Sequence, residues 1–230
     1  YRYVGELCEA GLLMRVAKGA YSLGPRIIEL DRQIRHRDPL FAVGEPAMRA
    51  LLRPDHGQVI LLCALFRDRV LCTHHLSSGT ELALSYTRGR PMPLFRGATA
   101  KAILAYLPER RLARLYLENQ AEIAAAKLGR TYAEFLALLK TIRRAGHVVT
   151  HAEVDPSVVG IGVPLFGGEG SVIGSLSLVF SSSRYPQRKE AQLAAALKRA
   201  AESISAELGR LAQQPTRRRV RADRAAPRRK

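Results

Sequence analysis

Four groups of residues in this 230-residue chain have the types for chemistry, and three of them lack a part that their chemistry requires. His74-His75, with Cys72 and Cys63 nearby, offers metal-ligand types. Neighbouring residues of a strand point to opposite faces, so both histidines cannot close on one ion without a bend. One buried and one exposed histidine is the expectation. His151 and Glu153 share a face of an expected strand and would suit a base and its orienting acid, but no Gly-x-Ser-x-Gly elbow supplies a nucleophile. Gly167-Gly-Glu-Gly170 has the glycines of a phosphate loop without the Lys-Ser/Thr and following helix, and reads as a hairpin turn. Arg88, Arg90 and Arg96 fit either a bidentate clamp on an anionic ligand or solvated loop charge. No catalytic constellation emerges, and neither a metal nor a cofactor is expected.

Composition narrows the partners. The formal charge is +17, and the stretch 216–230 alone carries eight basic residues against Asp223. Such an excess suits phosphate contacts and counterion release on nucleic acid, while the end itself, 213–230, reads as a basic disordered tail. Cys8, Cys63 and Cys72 lack Cys-x-x-Cys spacing, which points to a reducing, cytoplasmic setting. No apolar run reaches the ~18 residues of a membrane span, so no membrane partner is expected. Nor does the chain open with the n- and h-regions of a signal peptide. It opens on Tyr1 inside a periodic segment and reads as a fragment lacking its natural N-terminus.

The elements that must position any site follow from periodicity. Residues 1–13 read as the second half of a helix, with Val4, Leu7, Cys8 and Leu12 on one face and Gly11 as its stop. Two short strands around Lys18-Gly19 follow. Helix, strand, basic turn, strand is the order of a winged helix-turn-helix, whose helix enters the major groove while the wing touches the backbone. Residues 26–38 read as a linker helix, with Ile27, Ile28, Leu30 and Ile34 among charges. Beyond it come a helix over 40–53, strands at 59–66 and 70–76, and loops at 77–80 and 87–91 around the apolar piece 82–86. Helices are expected at 98–107, 109–117 and 131–145, the last stopped by Gly146. Strands are expected at 147–151, 158–166 and 171–180, and a final helix over 186–211 carries Leu193, Leu197, Ala200, Ile204, Leu208 and Leu211 as its apolar stripe. The class is α+β with an antiparallel sheet flanked by helices.

These blocks, in this order, resemble the IclR family of bacterial transcriptional regulators. Residues 1–13 resemble the family's passage from recognition helix into wing, and Tyr21-Ser-Leu-Gly-Pro-Arg26 its wing-to-linker signature. Gly89-Arg-Pro-Met-Pro-Leu94 with Ala100-Lys-Ala102 resembles the loop and helix over the effector pocket. Ile142-Arg-Arg-Ala-Gly146, Gly160-Ile161 and Pro164-Leu-Phe166 match the later blocks. The resemblance implies part of a winged helix-turn-helix over 1–25, a linker helix over 26–38, and a GAF/PAS-like effector-binding domain over 39–212. It further implies double-stranded operator DNA as partner, a homodimer or tetramer, and a small-molecule effector. Carried over residue by residue, the effector pocket takes Phe95, Arg96, Ala98 and Thr99 from the covering segment, Thr150, Gly160, Ser177 and Val179 from the sheet, and Leu84 and Met92 as walls. Tyr1, Arg2, Arg15 and Lys18 fall where DNA is met. Phe95-Arg96 stands where the family often has His, Thr150 where it often has Asp, and Gly160 where Cys is frequent. Those departures imply a larger, flatter or more anionic ligand than a two-carbon acid.

Two functions from different classes follow. The first is a DNA-binding regulator whose effector is a small organic acid, aromatic acids included. The second is a small-molecule sensor that acts through a protein partner without touching DNA. Residues 1–23 separate them, because only the first needs a helix and a basic wing ahead of the linker. An enzyme of GAF-like fold ranks behind both.

Overall fold

A computed structural model describes residues 2–53, 57–79, 82 and 84–213. Two compact units divide between Ala42 and Val43, four residues beyond the expected 38/39 boundary. The expected basic tail lies outside the described residues from 214 on, and Tyr1 is likewise outside them.

In the first unit, helix α1 (Arg2–Glu9) ends where Gly11 takes φ +69. Gly11 and Leu12 donate back to the carbonyls of Cys8 and Leu7, which satisfies the orphan acceptors of the last turn. Strands β1 (Leu13–Ala17) and β2 (Ala20–Leu23) form an antiparallel hairpin around Lys18-Gly19. Gly24 donates to Leu12 O and Arg26 to Gly11 O, tying the hairpin's exit to the helix end. Helix α2 (Arg26–Arg37) buries none of its residues, and Ile28, Leu30 and Ile34 are exposed. Ion pairs Arg26–Glu29 and Arg35–Asp31 line its polar side.

Helix α3 (Pro39–Leu51) leads into the second unit. There, β3 (Gln58–Phe66), β4 (Arg69–Ser77) and the two-residue β5 (Pro91–Met92) form one antiparallel run. A second run is β6 (Val148–His151), β7 (Val158–Phe166) and β8 (Val172–Ser181). Pairing of β3 with β8 joins them into one six-stranded sheet of order β5-β4-β3-β8-β7-β6. Alternation along the central strands assigns the faces. Val59, Leu61, Cys63 and Val179 belong to a core shared with α4 (Ala98–Leu104), α5 (Glu109–Glu118), α6 (Gln120–Ala125) and α7 (Tyr132–Ala145). Ile60, Leu62, Ile161, Val163, Leu176 and Leu178 are equally buried on the other side. Helix α8 (Glu190–Gln213) lies against β7 and β8 there, and Ser205 Oγ accepts from Phe166 N.

Several boundaries differ from the expectations, each for a local reason. Helix α4 stops at Leu104 rather than 107, because Pro108 restricts the residue before it. Short α6 was not expected, since its six residues carry too little periodicity to register. A bridge at Pro91-Met92 replaces part of an expected loop. Helix α8 begins at Glu190, after two 3₁₀ turns, and buries Ala194 and Ala201 where the stripe had placed Leu193 and Ala200, while Leu211 at its end is exposed. Thr131 caps α7 by accepting from Glu134 N, and Gly146 closes it at φ +70.

Candidate functional site: a cavity between helix α4 and the sheet

Helix α4 is buried on all sides and lies directly on the sheet. Small residues make that approach possible. An added Cβ at Gly162 would stand 2.4 Å from the Ala98 carbonyl oxygen, so helix and strand backbones touch there. Two residues back along β7, at Gly160, the nearest atom to such a Cβ is Ala98 Cβ at 3.3 Å. The helix therefore seals the sheet at Gly162 and leaves a gap beginning at Gly160.

That gap is a cavity of about 50 Å³. Its floor is a cross-strand row, Thr150 opposite Gly160 and Gly160 opposite Val179, with Leu61 from β3 beside it. Gly97, Ala98 and Thr99 roof it, and Leu84, Tyr86 and Met92 form one wall. Met92 is backed by the Cys63 thiol, 3.8 Å from its sulfur. Glu153, Val154 and Asp155 from the β6–β7 connection, with Val158 at the start of β7, form the other wall. The lining is mainly apolar with a few hydroxyls and carboxylates, the make-up of a small-molecule site.

The polar groups of the wall are committed. Glu153 accepts from Gly97 N at 2.9 Å and from Lys101 Nζ at 2.6 Å. Asp155 accepts from Ser85 N and Ser85 Oγ. These two carboxylates tie the β6–β7 loop to the roof and to the opposite wall.

Of the expected effector-contacting residues, the fold brings Leu84, Met92, Ala98, Thr99, Thr150, Gly160 and Val179 to this one cavity. Three others lie elsewhere. Phe95 is 2% exposed and packs into the helical core. Arg96 is exposed to solvent, because the residues on either side of it turn inward. Ser177 pairs with Gly162, the position where α4 seals the sheet, and its hydroxyl accepts from Thr99 Oγ1 at 3.0 Å. The arginine clamp does not assemble on the cavity either. Arg88 reaches Thr73 O and the His74 ring, and Arg90 reaches Ser85 O.

Sequence reasoning missed Glu153, Asp155 and Lys101. It had set Glu153 on a strand face with His151, but β6 ends at His151 and Ala152 takes φ +52, which swings the next residues toward α4. Asp155-Pro-Ser157 is a turn signal that marks the loop. On β4, His74 is buried and His75 exposed, as strand alternation requires. Cys63 and Cys72 sit opposite each other in the β3–β4 register. The Cys72 side chain and burial both push the Cys63 thiol up, whereas its bond with Cys63 lowers Cys72. Among the described residues, no cluster of three or more His, Cys, Asp or Glu is placed to hold a metal ion. Among them, too, no helix is long and apolar enough to cross a membrane.

In the first unit, Arg2 is on α1 in an exposed ion pair with Glu6, Arg15 is on β1, and Lys18 is in the turn between β1 and β2. Arg15 Nε donates to Ala17 O. Arg15 and Lys18 are both exposed and lie on the hairpin.

A six-stranded sheet covered by helices, with a small mainly apolar cavity under α4, follows a smaller helix-hairpin-helix unit in the chain. Residues 33–206 match the family model described as bacterial transcriptional regulator IclR C-terminal. The chain belongs to the IclR family. It is 29% identical over 218 residues to the HTH-type transcriptional regulator KipR of Bacillus subtilis, an alignment spanning 91% of this chain and 83% of that one. It is 25% identical over 210 residues to the HTH-type transcriptional regulator KdgR of Escherichia coli, spanning 91% and 80%. Among solved structures, the Thermotoga maritima IclR has the same fold, with a TM-score of 0.71 at 22% identity, covering 91% of this chain and 84% of that one. An IclR transcriptional regulator from Alicyclobacillus acidocaldarius gives 0.72 at 24%, covering 90% and 84%. Both relatives are HTH-type transcriptional regulators.

Proposed function

We propose that this chain is a DNA-binding transcriptional regulator whose affinity for its operator is set by a small organic acid, aromatic acids included, held between α4 and the sheet. The observation that carries this reading is the cavity itself. It sits where a buried helix meets β6, β7 and β8, so a ligand there bears on the packing of α4. Membership of a regulator family and the regulators among its relatives support the DNA half. On the protein side, Arg2, Arg15 and Lys18 supply cations on the helix and hairpin that meet the duplex, and Tyr1 precedes Arg2 in the sequence.

The assembly follows from α2, whose exposed Ile28, Leu30 and Ile34 leave an apolar surface along one small helix. A second copy covers it across a two-fold axis, giving a homodimer or a pair of dimers.

The test is selection of duplexes from a random pool, followed by anisotropy titration of the recovered sequence across a salt series. Enrichment of a repeated half-site, with affinity falling steeply as salt rises, is the expected result. A chain that enriches no sequence while still binding small molecules acts as the sensor without DNA activity.

A further inference from the structure

Resting on that reading of the cavity, we propose that Lys101 is the anchor for the effector's carboxylate and that Glu153 occupies it as an internal stand-in until the effector displaces it. Binding is then an exchange of one carboxylate for another on the same cation.

The geometry supports exchange on three counts. The Lys101 side chain is 8% exposed, and a buried ammonium is costly unless a carboxylate stays within reach. Its partner is asymmetric. The Glu153 side chain is 29% exposed and comes from the β6–β7 loop rather than from a strand, so it can swing to water while Lys101 stays behind. The third count is volume. At about 50 Å³ the cavity as it stands holds a few waters at most, far below the ~300 Å³ at which ligand sites begin. Glu153 is itself part of the lining, so its departure opens the cavity and uncovers a cation in the same motion. The remaining walls, Leu84, Met92, Val158 and Val179, take the apolar body of the acid.

A tethered carboxylate competes with a free one at an effective concentration of order millimolar or above. If Glu153 holds Lys101 ~99% of the time, the acid's apparent affinity falls ~100-fold. Removing the tether restores that factor.

The experiment is chemical rescue in the whole chain. Glu153→Ala leaves Lys101 buried without its carboxylate, so its thermal midpoint falls. Propionate and benzoate raise it again, while chloride at equal ionic strength does not. Calorimetry gives propionate at least ~10-fold tighter on Glu153→Ala than on the wild type, whose weaker binding stays measurable. The double variant Glu153→Ala/Lys101→Met does not respond to acids. If Glu153→Ala does not fold, isosteric Glu153→Gln, which can still accept from Gly97 N, carries the same comparison. Equal response to chloride and propionate overturns the proposal. So does rescue of the variant with no acid binding to the wild type, because Glu153 would then be a fixed fastener. An amine or neutral compound that shifts operator affinity while no acid binds either protein overturns the exchange and leaves the regulator standing. The regulator reading fails separately, if no compound of any class shifts operator affinity.

Discussion

Alanine at the two β7 glycines separates the seal from the cavity. At Gly162 the new methyl would stand 2.4 Å from Ala98 O and 2.7 Å from Ala98 C, both backbone atoms. Ordinary contact begins near 3.5 Å, so α4 must lift by roughly 1 Å. Every residue of that helix is buried, and the lift loosens its packing along its whole length. Overpacking of this kind costs about 3 kcal/mol, the upper end of the usual range. For a chain of this size that is a fall of roughly 6–12 °C in thermal midpoint. At Gly160 the same methyl meets Ala98 Cβ at 3.3 Å and Thr150 Oγ1 at 3.6 Å, which a shift of a few tenths of an ångström relieves. Glycine in a strand is itself unfavourable by roughly 0.5–1 kcal/mol, so Gly160→Ala stays within about 1 kcal/mol of the parent. Its methyl nonetheless enters the cavity, and effector affinity falls ~10-fold or more, equivalent to ~1.4 kcal/mol. Urea denaturation and calorimetric ligand titration read both quantities. The reasoning fails if Gly162→Ala is as stable as the parent, or if Gly160→Ala loses the fold rather than the ligand.

Replacing Arg15 or Lys18 with Ala should leave stability unchanged and reduce the slope of log affinity against log salt by about 1 each, read by anisotropy. The pair Ile28→Glu and Ile34→Glu should convert a dimer into a monomer in sedimentation at ~10 µM, and an unchanged mass would remove α2 from the interface. Burial, helped by its bond to Glu190 and that residue's charge, pushes the Tyr185 hydroxyl well up. Its contribution is therefore complete below the ordinary tyrosine value of about pH 10 and is lost above it, where the unfolded chain ionises first. Tyr185→Phe should flatten the alkaline fall in thermal midpoint, and an unaltered profile above pH 10 would contradict that sign.

Periodicity made most of the elements legible. Linker helix α2 and strand β7 fall at the residues their patterns indicate, because stripe and alternation are local signals. The faces of α4 were not legible, since a helix buried all round carries no amphipathic stripe. The family resemblance marked Phe95, Arg96 and Ser177 as neighbours of the cavity, but whether a neighbour points in depends on where α4 touches the sheet, and at Ser177 the Gly162–Ala98 contact decides that. Glu153 was hidden by the turn at Ala152, whose positive φ no residue type announces.

Operator affinity measured with and without effector, in the wild type and in Gly160→Leu, tests the central claim most directly. A screen by thermal shift supplies the compound, since a ligand of the folded state raises its midpoint. The account predicts that this compound shifts wild-type operator affinity by roughly 5- to 150-fold, the range of typical coupling energies. Gly160→Leu, its cavity filled, should bind the duplex as the wild type does and ignore the compound. A Gly160→Leu protein that responds like the wild type would contradict the account and move the effector away from the gap between α4 and the sheet.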